Sequence, residues 1–203
     1  MVDFLIIGGG TITNSIFSMF RDKKMKYGYS ISSGDRYFEV PDDYEFYGIG
    51  YKEEEGKRYI AVSGVRWFTS MRDDYPPKLV LSRKYVEGEY KKFDNFDAIN
   101  IDKTKDIPVD YTGLMGVPIT FIDKWNPEQF ELIGFPGIGI VPEGWKGMTE
   151  EFIKLYYEQG NTGCYEVGKK MGYFVKDGKA IIPYVRLLIK KKGYGRFSDY
   201  RQR

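Results

Sequence analysis

The sequence contains no histidine, and this absence removes several catalytic chemistries. Without an imidazole there is no Ser-His or Cys-His triad, no histidine general base and no histidine-containing zinc site. The single cysteine, Cys164, allows neither an internal disulfide nor a thiolate cluster that binds a metal. We therefore predict no metal site, and the scarcity of cysteine favours a reducing, cytoplasmic location.

Long hydrophobic runs are also missing. The longest uninterrupted ones, such as residues 4–7 and 59–62, have the length of strands and fall far below the roughly 20 residues that cross a bilayer. The first four residues lack the basic region and the cleavage site of a secretory signal. We therefore predict no membrane association and no secretion.

Charge is present in quantity but unevenly distributed. The 203 residues, enough for one domain or a large domain with a small appendage, carry a net charge of +2. Residues 168–203 hold eleven Lys and Arg against two Asp, a net +9, which leaves residues 1–167 at −7. A basic end suits a polyanion, most often nucleic acid, through phosphate neutralisation and counterion release. A solvated, partly frayed terminus explains the same charge equally well.

The first 70 residues show the pattern of a mixed sheet. A strand over residues 2–7 runs into Gly8-Gly9-Gly10, and apolar residues at spacings of 3 to 4 predict a helix over 12–24, capped by Thr13 or Asn14. Strand, tight turn and helix form half of a βαβ unit. Two further strands follow at 25–31 and 57–68, separated by a polar loop from about 34 to 56, which indicates a sheet whose edge turns antiparallel.

Residues 71–203 have a different character. Regular alternation fades after Met71 and Pro, Gly and Asp accumulate, which is typical of a loop-rich recognition region. Within it we predict a short helix over 150–159 and a hairpin turning at Asp177-Gly178. A last strand over 183–189 leads into three consecutive lysines.

Two glycine-containing turns suggest cofactor binding. Gly8-Gly9-Gly10 follows a strand, as in dinucleotide-binding folds, but the third glycine of that fingerprint is replaced by Thr13. Residues 135–139, FPGIG, match the F-x-G-x-G turn that holds S-adenosylmethionine in adenine methyltransferases, but Pro142 follows too closely for a helix to begin there. Tight backbone turns without a ligand are the simpler interpretation of both.

Longer phrases carry a more specific signal. They are SISSGDRYFEVPDDY at 30–44, GVRWFT at 64–69, FDNFDAI at 93–99, MGVPITFIDKWNPEQFE at 115–131 and PYVRLLIK at 183–190. Occurring in this order over nearly the whole chain, they closely resemble the EcoRI-type adenine-specific DNA methyltransferases.

The resemblance also exposes an absence. The family carries its S-adenosylmethionine turn and its catalytic N-P-P-F or D-P-P-F turn upstream of the strand matching residues 4–8, and this sequence contains neither Asn-Pro-Pro nor Asp-Pro-Pro. Gly9 and Gly10 also stand where an asparagine-containing stretch is expected. The resemblance thus implies a C-terminal half or subunit, inactive alone, whose complementary N-terminal half holds S-adenosylmethionine.

The implied fold is α/β. Residues 1–70 would form the later strands and helix of a partial class I methyltransferase-like mixed sheet, and residues 71–203 a loop-rich α+β target-recognition region with a basic C-terminal strand and tail. The implied partner is double-stranded DNA, from which the enzyme must extrude an adenine to reach its amino group.

Candidate site residues follow from this implied role. Trp67 or Phe68 would stack on the extruded base, and alternation along the strand allows at most one of them to face it; ordinary core aromatics are the alternative. The candidates for contact with DNA are Arg66, Arg186, Lys190, Lys191, Lys192 and Arg196. No catalytic or cofactor-binding residue is assigned.

Three hypotheses remain open from the sequence. The chain is the DNA-recognising half or subunit of an adenine-N6 methyltransferase, a catalytically inactive remnant that binds DNA or a protein, or a small dinucleotide-cofactor enzyme that uses the Gly8-Gly9-Gly10 turn.

Overall fold

The structure, a computed structural model, describes residues 2–28, 36–46 and 50–193. The chain divides into two compact units, Met1–Asp74 and Tyr75–Arg203. The described residues of each unit combine several strands with at least one helix, so the chain is of the mixed α/β class. None of the described helices is both long enough and apolar enough to span a membrane.

The described residues of the first unit form seven elements. They are β1 (Leu5–Gly9), helix α1 (Asn14–Arg21), β2 (Lys26–Tyr27), β3 (Arg36–Val40), β4 (Tyr51–Glu54), β5 (Lys57–Val62) and β6 (Val65–Thr69). One sheet has the order β1-β6-β2 and another the order β3-β5-β4, and all pairings within them are antiparallel. Because β1 and β2 are both antiparallel to β6, they run parallel to each other, connected by α1. This is a βαβ unit with an antiparallel strand inserted.

Helix α1 covers one face of the β1-β6-β2 sheet. Its N-terminus is capped by Thr13, whose hydroxyl accepts a hydrogen bond from the N–H of Ile16. Phe17 and Phe20 are buried, and the Phe20 ring packs edge-on against Tyr27 and Phe68 of the sheet. The predicted helix is present, shortened at both ends.

Two expectations for this unit were wrong. Residues 57–68 form not one strand but two, because Gly64 adopts a left-handed φ of 66° and reverses the chain between β5 and β6. The segment 34–56, expected as a loop, contains β3 and β4. Their side chains are only half-buried or exposed, so they lack the apolar alternation that marks a strand in the sequence. Of the strand predicted over 25–31, residues 29–31 lie outside the described part of the chain.

The second unit begins with an irregular segment and then forms a larger sheet. Its described strands and α-helix are β7 (Lys92–Phe93), β8 (Phe96–Asn100), β9 (Leu114–Pro118), β10 (Phe130–Gly134), α2 (Glu150–Glu158), β11 (Phe174–Lys176), β12 (Lys179–Ile181) and β13 (Arg186–Lys191), and three short 3₁₀ helices lie between them. The five-stranded sheet has the order β10-β13-β9-β8-β7, with β8 and β9 parallel and the other pairs antiparallel. The short helix and the Asp177-Gly178 hairpin are confirmed.

Strand β13 lies inside this sheet and is buried on both faces. Leu187, Leu188 and Ile189 have no exposed surface. In a strand with one open face, alternation would bury Leu187 and Ile189 and leave Leu188 on the same face as Arg186 and Lys190. Phe93 and Trp145 pack with Leu188 on that face, which explains why it is closed.

Candidate nucleic-acid interface

Trp67 lies on the face of the first unit's sheet that α1 does not cover. It stands opposite Ile7 in the β1–β6 ladder, and the N–H of Gly28 donates to its carbonyl oxygen at 2.9 Å. The half-buried indole lines an open groove of about 580 Å³ together with Leu5, Met71 and other residues of the same unit. A groove of this volume can accept a nucleobase.

The polar side of the groove carries no excess of positive charge. Arg72 donates from Nε and Nη2 to the two carboxylate oxygens of Asp74, at 2.8 and 2.9 Å, and from Nη1 to the Tyr27 carbonyl. The ammonium group of Lys26 donates to the Arg72 carbonyl oxygen, and burial lowers the pKa of Lys26, with Asp73 and Asp74 opposing that shift. The lining thus sets one cation, Arg72, against the carboxylates of Asp73 and Asp74, which suits a neutral planar group better than a phosphate.

Phe68 and Arg66 point to the opposite face, towards α1. Phe68 is 4% exposed and its ring lies 5.4 Å from that of Tyr27. The guanidinium group of Arg66 stacks over the Tyr27 ring at 4.9 Å. Of the two aromatic candidates, Trp67 therefore lines an open groove and Phe68 fills the core under the helix.

Arg186, at the start of β13, is committed to contacts within the protein. Its Nε donates to Asn100 at 2.9 Å, Nη2 to Asp102 at 3.1 Å and Nη1 to the Tyr184 carbonyl at 2.7 Å. Its side chain is 11% exposed, and burial lowers its pKa while Asp102 opposes that shift. These contacts join the start of β13 to the end of β8.

The three lysines at the end of β13 differ from one another. Lys190, within β13, and Lys192, which follows the strand directly, are exposed. Lys191 is half-buried, and burial lowers its pKa against the opposing effect of Asp110. Arg196 lies outside the described residues. An exposed pair of cations, Lys190 and Lys192, therefore remains at the C-terminal end of β13.

An extended segment before the large sheet was not singled out from the sequence. The buried amide of Gln129 accepts from the N–H of Leu79 at 2.7 Å and donates to its carbonyl at 2.8 Å, and Asn126 donates to the Pro76 carbonyl. These bonds fix a segment in which Val80 is 96% exposed. Asn126 and Gln129 lie in the NPEQ stretch of the sequence phrase 115–131, but the sequence does not indicate which backbone groups their side chains bond.

Neither glycine turn fits a cofactor. The N–H of Gly10 donates to the Gly64 carbonyl at 2.5 Å, and a Cβ at Gly10 would lie 2.7 Å from that oxygen. Because the Gly64 carbonyl approaches so closely, position 10 requires a glycine. The N–H of Gly10, which a pyrophosphate would need, is already bonded to that carbonyl.

The FPGIG turn contains one short 3₁₀ helix, Pro136–Ile138, and then folds back on itself instead of opening an α-helix. Phe135 and Ile140 exchange backbone hydrogen bonds, and Gly139 adopts a left-handed φ of 81°. A Cβ at Gly137 would lie 3.1 Å from Val185. S-adenosylmethionine requires a turn that leads into a helix N-terminus, so these residues do not fit it. The described residues also contain no group of three or more potential metal ligands from His, Cys, Asp and Glu.

A mixed sheet, a groove lined by tryptophan and a pair of exposed lysines are compatible with a protein that handles nucleic acid. Comparison with known proteins identifies the family. The family described as "Adenine-specific methyltransferase EcoRI" matches residues 2–192, and the chain belongs to it. The expected resemblance is thereby confirmed.

Three curated relatives are similar to the chain. The Type II methyltransferase M.EcoRI of Escherichia coli is 38% identical over 195 residues, covering 93% of this chain and 50% of that protein. Type II methyltransferases M.MpnI of Mycoplasma pneumoniae and M.MgeORF184P of Mycoplasma genitalium are 35% and 38% identical over 138 residues, covering 64% of this chain and 43% of each relative. The chain thus spans about half the length of these relatives. No solved structure matches it.

Proposed function

We propose that this chain supplies the DNA-recognition region and the later strands of the sheet to a site-specific DNA adenine-N6 methyltransferase. The observation that carries the proposal is the family match over residues 2–192. In the complete reaction the adenine amino nitrogen takes the methyl group of S-adenosylmethionine and loses a proton, leaving S-adenosylhomocysteine. Because neither glycine turn fits that cofactor, we assign its binding to the part of the enzyme that a complementary half supplies.

The βαβ unit with its inserted strand supports the sheet part of the proposal. The resemblance implies a mixed sheet whose edge turns antiparallel, and β6 between the parallel strands β1 and β2 is such an edge. We assign residues 1–70 to this sheet and residues 71–203 to target recognition. The enzyme would act on double-stranded DNA in the cytoplasm.

Trp67 is the residue we assign to the extruded adenine. Its indole lines a groove that is large enough for a purine, and the polar wall made by Arg72, Asp73 and Asp74 offers both donors and acceptors. Stacking on an aromatic ring contributes about 1–3 kcal/mol per base. Phe68 and Arg66 face α1, so in this proposal they support the strand that carries Trp67.

Lys190 and Lys192 are the residues we assign to the DNA backbone. Both are exposed, and lysine ammonium groups contribute affinity for phosphate without sequence preference. Lys191 and Arg196 remain candidates of lower rank, the first because it is half-buried and the second because it lies outside the described residues. Arg186 would keep β13 in place beside them.

Recognition by this chain can be tested without its partner. The purified chain is mixed with a random duplex library, and bound DNA is recovered, amplified and sequenced over several rounds. We expect one short sequence containing adenine to be enriched, and the Lys190→Ala/Lys192→Ala variant to retain that sequence with weaker binding. Recovery of DNA without any sequence enrichment would contradict the recognition role.

A further inference from the structure

Residues 79–85 of the second unit form a segment, called here the anchored segment, that is held at every odd-numbered position except 81. The bonds come from backbone groups: Leu79 to the Gln129 amide at 2.7 and 2.8 Å, Arg83 to the Val109 N–H at 2.8 Å, and Tyr85 to the Asp110 carboxylate at 2.7 Å. Because the segment has no regular secondary structure, these bonds fix its backbone in place of a sheet ladder.

The side chains that project from the anchored segment differ in chemistry. Val80 is 96% exposed, the highest value among the large hydrophobic residues that the structure describes, and Ser82 and Lys84 are exposed as well. Between them, Leu81 is half-buried and the Arg83 guanidinium group is paired with two carboxylates. An apolar group, a hydroxyl and an ammonium group therefore project at alternate positions from a fixed backbone.

Gln129 places the anchored segment beside the exposed lysines at the end of β13. Its side chain holds one end of the segment, and its carbonyl accepts from the N–H of Lys192 at 2.9 Å. The Asp110 carboxylate, which bonds the other end of the segment, also opposes the lowering of the Lys191 pKa by burial. The anchored segment and the cations that we assign to the DNA backbone are thus neighbours.

An extended chain matches the spacing of base pairs. It rises about 3.3 Å per residue, and successive bases of a DNA strand follow at about 3.4 Å. Side chains two residues apart therefore reach base pairs about two steps apart. In the major groove an apolar side chain contacts the C5-methyl group of thymine, and a serine hydroxyl bonds either a donor or an acceptor on a base edge.

We propose that the anchored segment reads the DNA sequence from the major groove, with Val80 against a thymine methyl group and Ser82 on a base edge about two steps away. Lys84 would join the two exposed lysines on the phosphates, and Gln129 is the positioning residue that holds the segment beside them. The inference rests on the proposed function and names the residues that select the sequence.

The Val80 contact is tested on duplexes whose thymines lack the methyl group. The sequence preferred by the parent chain is found by selection from the random library, and each of its thymines is replaced in turn by deoxyuridine. We expect one replacement to lower the parent's affinity about fourfold, the value of one buried methyl group. Val80→Ala should weaken binding of the unmodified duplex by at least that factor and lose nothing further on that replacement.

Val167→Ala is the matched control, because Val167 is a 61% exposed valine of the same unit outside the anchored segment. It should respond to every deoxyuridine as the parent does. Unchanged circular dichroism and thermal unfolding show that each variant is folded.

Ser82 and Gln129 are tested by repeating the selection. Ser82→Ala should relax the preference at one position about two steps from the thymine that Val80 contacts. Gln129→Leu removes the side-chain bonds to the anchored segment but keeps the main-chain bond to Lys192. It should lower the preference for the selected duplex over a random one about tenfold, the value of one base contact, and leave the salt dependence of binding unchanged.

The outcomes separate this inference from the proposed function. A parent chain without any preferred sequence would contradict both. A preferred sequence that Val80→Ala and Ser82→Ala bind with the parent's selectivity at every position would overturn the inference alone. Loss of selectivity at single positions, in folded variants that keep the parent's salt dependence, supports it.

Discussion

The guanidinium group of Arg186 is joined to the side chain of Asn100 by a hydrogen bond of 2.9 Å, although 86 positions separate the two residues. Asn100 in turn donates to Asp102 at 2.8 Å, and Arg186 donates to the same Asp102 oxygen. The three side chains form a closed polar network that ties β13 to the end of β8. The sequence suggested Arg186 as a contact to DNA. In the structure its guanidinium group bonds Asn100 and Asp102 within the protein.

Loss of the Arg186 network should lower stability. Arg186→Ala removes three hydrogen bonds from a charged group that is largely buried, and we expect a loss of about 2 kcal/mol in the free energy of unfolding. Urea denaturation followed by circular dichroism measures it. Lys190→Ala, at an exposed position of the same strand, should change stability by less than about 0.5 kcal/mol. A stable Arg186→Ala variant with weakened DNA binding would reverse the assignment.

The exposed lysines should set the salt dependence of DNA binding. Each lysine that neutralises a phosphate contributes about 0.9 to the slope of log K against log salt concentration, so Lys190→Ala/Lys192→Ala should flatten the slope by about 1.8. Fluorescence anisotropy of a labelled duplex between low and moderate salt measures that slope. Lys191→Ala is the comparison and should have a smaller effect, because Lys191 is half-buried. An unchanged slope in the double variant would show that Lys190 and Lys192 do not contact the DNA backbone.

Trp67 and Phe68 should respond differently to truncation. Phe68→Ala opens a cavity beneath α1 and should cost about 3–5 kcal/mol of stability. Trp67→Ala should cost less, because the indole borders an open groove, but it should lower the affinity for a duplex with one unpaired adenine. Binding of that duplex relative to the fully paired one isolates the effect on the base. Equal preference in parent and Trp67→Ala proteins would exclude base stacking at this position.

The packing of Gly28 on Trp67 offers a further test. A Cβ at position 28 would lie 2.7 Å from the Trp67 Cβ, so Gly28→Ala must displace the strand or the tryptophan. We expect a loss of about 1–3 kcal/mol of stability, as for other overpacked sites. Gly9→Ala is the control, since a Cβ at that position has no neighbour within 4 Å. Similar unfolding midpoints for both variants would show that the two strands do not approach so closely.

Local signals in the sequence predicted several elements well. Asp177-Gly178 gave the hairpin of β11 and β12, and both residues adopt the left-handed conformations that this turn requires. Thr13 and the spacing of apolar residues gave helix α1. In each case the signal lies within a few residues of the structure that it determines.

Features that depend on distant neighbours could not be predicted. Alternation along β13 would leave Leu188 and Arg186 together on one face, but Phe93 and Trp145 cover Leu188, and Asn100 and Asp102 bond Arg186. Strands β3 and β4 were not predicted, because few of their side chains are buried and their sequences therefore lack an apolar pattern. Likewise, three consecutive lysines look alike in the sequence, and only the structure shows that Lys191 is half-buried while Lys190 and Lys192 are exposed.

The most direct measurement is methyl transfer by the assembled enzyme. The chain is co-expressed with the part of M.EcoRI that it does not match, the complex is incubated with duplex DNA and S-adenosylmethionine, and N6-methyladenine is quantified by mass spectrometry of the digested DNA. We predict methylation of one adenine within a fixed sequence by the complex and none by either polypeptide alone. A stable complex that leaves adenine unmodified, or methylation by the part of M.EcoRI alone to the same extent, would contradict the proposal.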